Sequence, residues 1–195
     1  MKAFRSVTSH AAVLDRPDVD TDQIVPKQFL KRIDRAGFGE FLFYDWRKDP
    51  DFELNQPGWQ GARILLAGPN FACGSSREHA AWALQDYGFD AIVAPSYGDI
   101  FRTNAVQVGL LPVVLPDDVV KRLMAAASAG AALTVDLEQQ TVTVENGDAV
   151  GFDIDPFVRH CLLEGLDAIG LTLAHEDDIA AFEAANPSPI ATTAL

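Results

Sequence analysis

The middle of the chain alternates short apolar runs with stretches of helical period. Arg63–Ala67, Ala91–Ala94 and Leu110–Leu115 are nearly continuous apolar runs, the pattern of strands covered on both faces of a sheet. Between them, Ser76–Tyr87 and Asp99–Val108 carry apolar residues at helical spacing, and Gly88 and Gly109 stand where helices end. Pro116 and two aspartates open a further helix over Val119–Ala129, stopped by Gly130. Strand–helix–strand–helix–strand with short connections predicts right-handed crossovers and a largely parallel sheet.

The flanks read differently. Ala11–Asp15 is a short strand feeding an acidic turn, Arg16–Asp22. Residues 27–46 mix apolar and charged positions at roughly helical spacing, which predicts two short helices parted by Gly37 and Gly39. Asp49–Gly61, with two prolines and two glycines, reads as loop. After residue 130 the period drops to two: Leu133–Leu137 and Thr141–Glu145 alternate around Glu138–Gln140 and predict an antiparallel hairpin, with a further strand over Val150–Ile154. Pro156–Glu164 and Asp177–Ala185 read as helices, and Asn186–Pro189 begins a frayed tail. The expected architecture is an α/β domain over residues 1–175: a largely parallel sheet with crossover helices, an additional β layer and C-terminal helices. An acidic helix and tail follow over 176–195.

Composition narrows the function. A chain of 195 residues with 48% hydrophobic and 22% charged residues can bury a core without disulfides or metal. Its longest uncharged stretches are short or broken by Gly and Pro, which excludes a helical membrane span, and Ser6, Thr8, Ser9 and His10 interrupt any signal-peptide core. A cytoplasmic protein is expected. Fifteen basic against 28 acidic side chains give −13, which argues against binding nucleic acid or a membrane surface. The imbalance is local: residues 123–195 hold one base, Arg159, and 12 acids, so a site for an anion belongs in the first two-thirds. Cys73 and Cys161 lie far apart and fit neither zinc spacing nor the three or four thiolates of an iron–sulfur cluster.

The stretch Gly74-Ser-Ser-Arg-Glu-His79 carries the candidate chemistry. It follows a strand and opens a helix, so unpaired amides and the positive end of the helix dipole converge there, and Arg77 adds a fork suited to a carboxylate. A structural reading stands beside this one. Ser75-x-x-Glu78 has the spacing of a capping box, in which each side chain satisfies an amide of the other's turn. Capping accounts for neither the second serine nor the arginine. A nucleophile elbow is excluded, since the position two after Ser75 is Arg77 rather than glycine. Cys73 lacks a basic partner and reads as a packed thiol.

These residues also bring a resemblance. Gly68-Pro-Asn-Phe-Ala-Cys-Gly-Ser-Ser-Arg-Glu-His-Ala80 resembles the signature of the swivelling domain of the aconitase superfamily. The run from Asp18 to Arg32 is similar to that family's substrate-recognition loop, and Phe152–Leu173 to the C-terminal segment of bacterial isopropylmalate isomerase small subunits. Asp99-Ile-Phe-Arg-Thr-Asn104 and Gly109–Pro112 also fit, so the resemblance covers nearly the whole chain except its acidic tail.

The resemblance implies a swivelling β/β/α domain and one half of a 3-isopropylmalate dehydratase, which moves a hydroxyl between adjacent carbons through an alkene in leucine biosynthesis. It implies a large-subunit partner holding a [4Fe–4S] cluster, with no cofactor or metal bound by this chain, and a small dicarboxylate substrate. By resemblance Ser75 is the base, acting as an alkoxide stabilised by helix amides and Arg77. Ser76 and Arg77 hold one carboxylate, Lys31 or Arg32 the other, and Leu30 faces the isopropyl group. Asp20 and Asp22 are expected to shape their turn, His79 to pack, and Asn104 and Arg102 to support the structure. Two alternatives share the helix terminus: a related hydro-lyase acting on homoaconitate or methyl-substituted malates, and a noncatalytic anion-binding or regulatory module.

Overall fold

A computed structural model describes residues 1–32, 35–145 and 147–186. Its framework is one seven-stranded sheet in the order β4-β3-β2-β1-β5-β6-β7. The first strand, β1 (Ser6–Leu14), belongs to two ladders. Its second half, Ala11–Leu14, pairs in parallel with β2 (Ile64–Ala67), which continues in parallel to β3 (Ala91–Ala94) and β4 (Leu111–Val114). Its first half, Ser6–His10, pairs antiparallel with β5 (Ala132–Asp136), followed by β6 (Thr141–Val144) and β7 (Ala149–Gly151). The expected β addition therefore joins the parallel core by sharing one long strand.

Side-chain alternation sends each strand into two cores. On one face Ala12, Leu14, Leu65, Ala67, Ile92 and Ala94 pack beneath α2 (Glu78–Tyr87) and α3 (Asp99–Val108). On the other, Ala11, Ile64, Leu66, Ala91 and Val93 meet Val120, Leu123 and Met124 of α4 (Asp117–Ser128). Burial on both faces is why the central strands read as unbroken apolar runs. Gly88 and Gly109 close α2 and α3 in left-handed geometry, at φ 118° and 86°.

The segment between β1 and β2 departs from expectation. After α1 (Thr21–Ile24), residues 27–46 form 3₁₀ turns at Lys27–Lys31 and Phe38–Phe41, with a third at Trp46–Lys48. Gly39 lies inside the second turn rather than between helices, and glycine is required there since a Cβ would sit 2.7 Å from the Tyr87 backbone nitrogen. The segment is an aromatic cover, burying Phe38, Phe43 and Phe52 against the α2 side of the sheet. Further 3₁₀ turns at Glu53–Asn55 and Pro57–Trp59 lie within the expected loop.

Beyond the sheet come α5 (Pro156–Glu164), α6 (Ala168–Leu173) and α7 (Glu176–Ala185). The pattern missed α6, whose six residues include Gly170; Asp167 caps it by accepting from the Gly170 amide at 2.8 Å. The tail after Asn186 lies outside the described residues. No described helix is long and apolar enough to cross a membrane.

One close approach ties the exits of β1 and β2 together. A Cβ on Gly68 would lie 2.4 Å from the Arg16 carbonyl oxygen, a contact that only backbone movement relieves. Gly68→Ala is expected to cost about 1–3 kcal/mol through this overpacking, read as a lower denaturation midpoint at unchanged m-value.

Candidate active site

Because β1, β2 and β3 run parallel, they end at one edge of the sheet, and their exit loops meet there. Backbone bonds extend the ladder past the strands. Cys73 N–H donates to Val19 O at 3.1 Å and Thr21 N–H to Cys73 O at 3.0 Å. On the other side, Phe71 N–H donates to Ser96 O at 3.0 Å and Gly98 N–H to Phe71 O at 2.9 Å. Between these anchors Asn70, Ala72 and Gly74 adopt φ of 56°, 57° and 87°. A left-handed alanine costs on the order of 1–2 kcal/mol, so the flanking bonds must hold this conformation.

That fastening overturns the expected capping box. Helix α2 begins at Glu78, two residues later than its pattern predicts, because the chain is still extended at Arg77, with φ −143° and ψ 109°. Arg77 is the N-cap residue and receives no side-chain cap. Ser75 is held instead through its backbone carbonyl, which accepts from the buried Thr21 Oγ1 at 2.9 Å. The capping box forms elsewhere: Asp20 accepts from Gln23 N–H at 2.8 Å, and Gln23 Oε1 accepts from Asp20 N–H at 2.8 Å.

Ser75 and Arg77 line a cleft of about 200 Å³ with Thr21, Gly98, Asp99 and Ile100. Ser75 and Ser76 are exposed, whereas the Arg77 side chain is only 15% accessible. Its guanidinium grips the Asp22 carboxylate with both terminal nitrogens, Nη2 at 2.9 Å from Oδ2 and Nη1 on Oδ1. Such a fork fixes the arginine's plane and leaves Nε and the outer N–H groups for a second acceptor. Asp22, expected only to shape a turn, is thus a member of the cleft's charge network. No local signal marks that pairing, since the partners are 55 residues apart.

Leu30, Lys31 and Arg32 do not line this cleft. Leu30 is half-buried against the core, Lys31 is exposed, and Arg32 pairs with Glu40 at 3.1 Å while lying 5.1 Å from the Phe41 ring. The structure therefore joins Ser75 and Arg77 to the start of the recognition loop, through Thr21 and Asp22, and leaves Leu30, Lys31 and Arg32 apart. Two neighbours of Ser75 are set by desolvation. Burial, then Asp20 and Asp18, push the Cys73 thiol above its ordinary range, so it remains a protonated packing group. Burial against Phe38 and Trp82 lowers His79, so its ring is neutral at pH 7.

A family model described as the aconitase C-terminal domain matches residues 1–118. A model described as LeuD_N matches 121–156, and one for the C-terminal domain of the 3-isopropylmalate dehydratase small subunit matches 169–187. The 3-isopropylmalate dehydratase small subunit of Acidobacterium capsulatum is 56% identical over 185 residues, covering 94% of this chain and 90% of its own. That of Parafrankia sp. is 56% identical over 196 residues, with 100% of both chains covered. The chain belongs to the 3-isopropylmalate dehydratase small-subunit family.

The fold agrees with that family. The crystal structure of a 3-isopropylmalate dehydratase from Methanocaldococcus jannaschii superposes with a TM-score of 0.70 over 90% of this chain and 98% of its own, at 24% identity. The aconitase family implies an iron–sulfur cluster in a large subunit. The thiols of this family member do not fit such a group: Cys73 sits in the site loop and Cys161 is buried on α5.

Capping and catalysis now separate by measurement. Asp20→Ala should lower stability by about 1 kcal/mol, the usual cost of a lost cap. Ser75→Ala should stay within about 0.5 kcal/mol, as an exposed residue outside any cap does. Equal losses in denaturant titrations would return Ser75 to a structural role.

Proposed function

We propose that this chain is the small subunit of a cytoplasmic 3-isopropylmalate dehydratase that interconverts 2-isopropylmalate and 3-isopropylmalate in leucine biosynthesis. Its partner is a large subunit that holds the [4Fe–4S] cluster, and neither nucleic acid nor membrane takes part. The observation that carries this reading is the position of Ser75: freed from capping, exposed, and in one cleft with Arg77 beside the start of α2.

The chemistry follows from that position. Dehydration removes a proton from a carbon next to a carboxylate and hydroxide from the neighbouring carbon, leaving an alkene; rehydration with the opposite placement completes the isomerisation. Ser75 Oγ, as an alkoxide, takes the carbon-bound proton and becomes a hydroxyl. A free serine is far too weak an acid to supply that anion. The amides at the start of α2 and the nearby guanidinium lower its cost once a partner closes the cleft and excludes water. Arg77, oriented by Asp22, holds a substrate carboxylate with its remaining donors, and Ser76 assists. Lys31 or Arg32 takes the second carboxylate, and Leu30 meets the isopropyl group, when the recognition loop and the partner converge on the substrate.

In an assembled complex verified by size and iron content, Ser75→Ala is expected to lower kcat by at least about 100-fold, as loss of a general base does. A loss below about tenfold, measured by alkene absorbance, rejects the role. Leu30→Asp should weaken kcat/KM for isopropylmalate more than for a malate with a methyl substituent, by about 1–3 kcal/mol of discrimination. Preserved discrimination would place Leu30 outside the pocket, whereas a wild-type preference for the smaller malate or for homoaconitate would favour the related hydro-lyase.

A further inference from the structure

The C-terminal helices carry apolar side chains with nothing beneath them. Neither α6 nor α7 buries a single residue, yet Ile169 is 71% exposed, Leu173 58%, and Phe182 68%, with Phe157 of α5 at 60%. A ten-residue helix without tertiary burial is marginal in water, and large apolar side chains left exposed on consecutive helices point to a surface that a partner covers. A second observation lies beside them. A cleft of about 300 Å³ between α2, α3 and α6 is lined by the apolar Trp82, Val108 and Ile169, with Asn104 and with Arg35, Glu78 and Asp167 as charged groups. Asn104 is 8% exposed, and its Nδ2 has no hydrogen-bond partner among the described residues.

Two features choose the occupant. The rim of α7 is acidic, with Glu176, Asp177, Asp178 and Glu183, and the chain carries −13 overall, so pairing this face with a second copy would juxtapose like charges. The cleft also adjoins the candidate active site: Arg77 lines the Ser75 cleft, and the next residue, Glu78, lines this one. The two clefts share no lining residue, but Arg77 and Glu78 are consecutive, so a protein seated here lies beside the loop that carries Ser75. We propose that the α6–α7 arm and the adjoining cleft are the docking surface for the large subunit. The partner's complementary face is apolar at its centre and basic at its rim. This inference rests on the functional reading above.

The test uses the full chain and a cluster-loaded large subunit. Ile169→Glu and Phe182→Glu, exposed positions outside the Ser75 cleft, should each raise the Kd for the large subunit by about tenfold or more, as loss of an interface anchor does. Turnover at saturating large subunit should stay within about twofold of wild type, and Asp177→Lys with Asp178→Lys should slow association most at low salt. If wild type gives an active complex and the variants bind it equally well, the docking surface lies elsewhere while the functional reading stands. If wild type gives neither complex nor turnover, both fall. A wild-type homodimer that the glutamate variants split would assign the face to a second copy. Variants that only destabilise the isolated chain would assign it to this chain's own packing. Either result overturns the proposal.

Discussion

The site depends on a short ladder of backbone hydrogen bonds outside the strands. Phe71 and Cys73 are pinned between the loop after β1 and the loop after β3, through isolated bridges Asp20–Cys73 and Phe71–Tyr97. This pairing exists because three parallel strands end together, so their exits cannot avoid one another. It also keeps Asn70, Ala72 and Gly74 in left-handed conformations that a free loop would leave. Gly98 is required at the far side, where a Cβ would come within 2.5 Å of the Ala72 carbonyl oxygen. Once Cys73 is fixed, Thr21 reaches the Ser75 carbonyl and delays the helix. The serine is thereby withheld from the structural task its spacing suggests.

Electrostatics in the cleft is similarly indirect. Arg77 does not wait as a bare cation: Asp22 neutralises part of its charge and sets its plane. A carboxylate arriving at the cleft thus meets an oriented fork with donors to spare, at less cost in side-chain ordering than a free arginine would impose. The thiol and imidazole nearest Ser75 are both held in their neutral forms, the thiol chiefly by burial and its acidic neighbours, the ring chiefly by burial. The acidic C-terminal third stands apart in sequence from the loop that bears Ser75 and Arg77.

Legibility differed from element to element for physical reasons. The strand at Ala91–Ala94 and the helices Asp99–Val108 and Pro156–Glu164 match their sequence patterns to the residue. Each couples a clear period to a local stop or start: a buried run, a C-terminal glycine, or an Asp-Pro cap. Residues 27–46 lack such coupling, and their apolar spacing serves an aromatic cover made of 3₁₀ turns rather than helices. Of the candidate site residues, Ser75 and Arg77 share a cleft, while Leu30, Lys31 and Arg32 do not line it. The first pair stands where a strand feeds a helix, a place that local sequence marks, whereas Leu30, Lys31 and Arg32 carry no local signal and are named by resemblance alone.

What the sequence by itself determined is what local forces decide. Hydrophobic period set the alternation of strand and helix through the middle of the chain, glycines set the ends of α2 and α3, and composition set the acidic C-terminal third and the shortage of thiols. Tertiary structure decided everything that required two distant segments to compete for the same group. Ser75 and Asp20 both precede a Glu or Gln by three residues, and both could cap. Only Asp20 does, because Thr21 and Val19 hold the Ser75 loop in extended form, and backbone bonds made across the sheet edge outweigh a cap worth about 1 kcal/mol. The Asp22–Arg77 pair has the same origin. Neither residue announces the other, and they meet because parallel strands bring their loops to one edge.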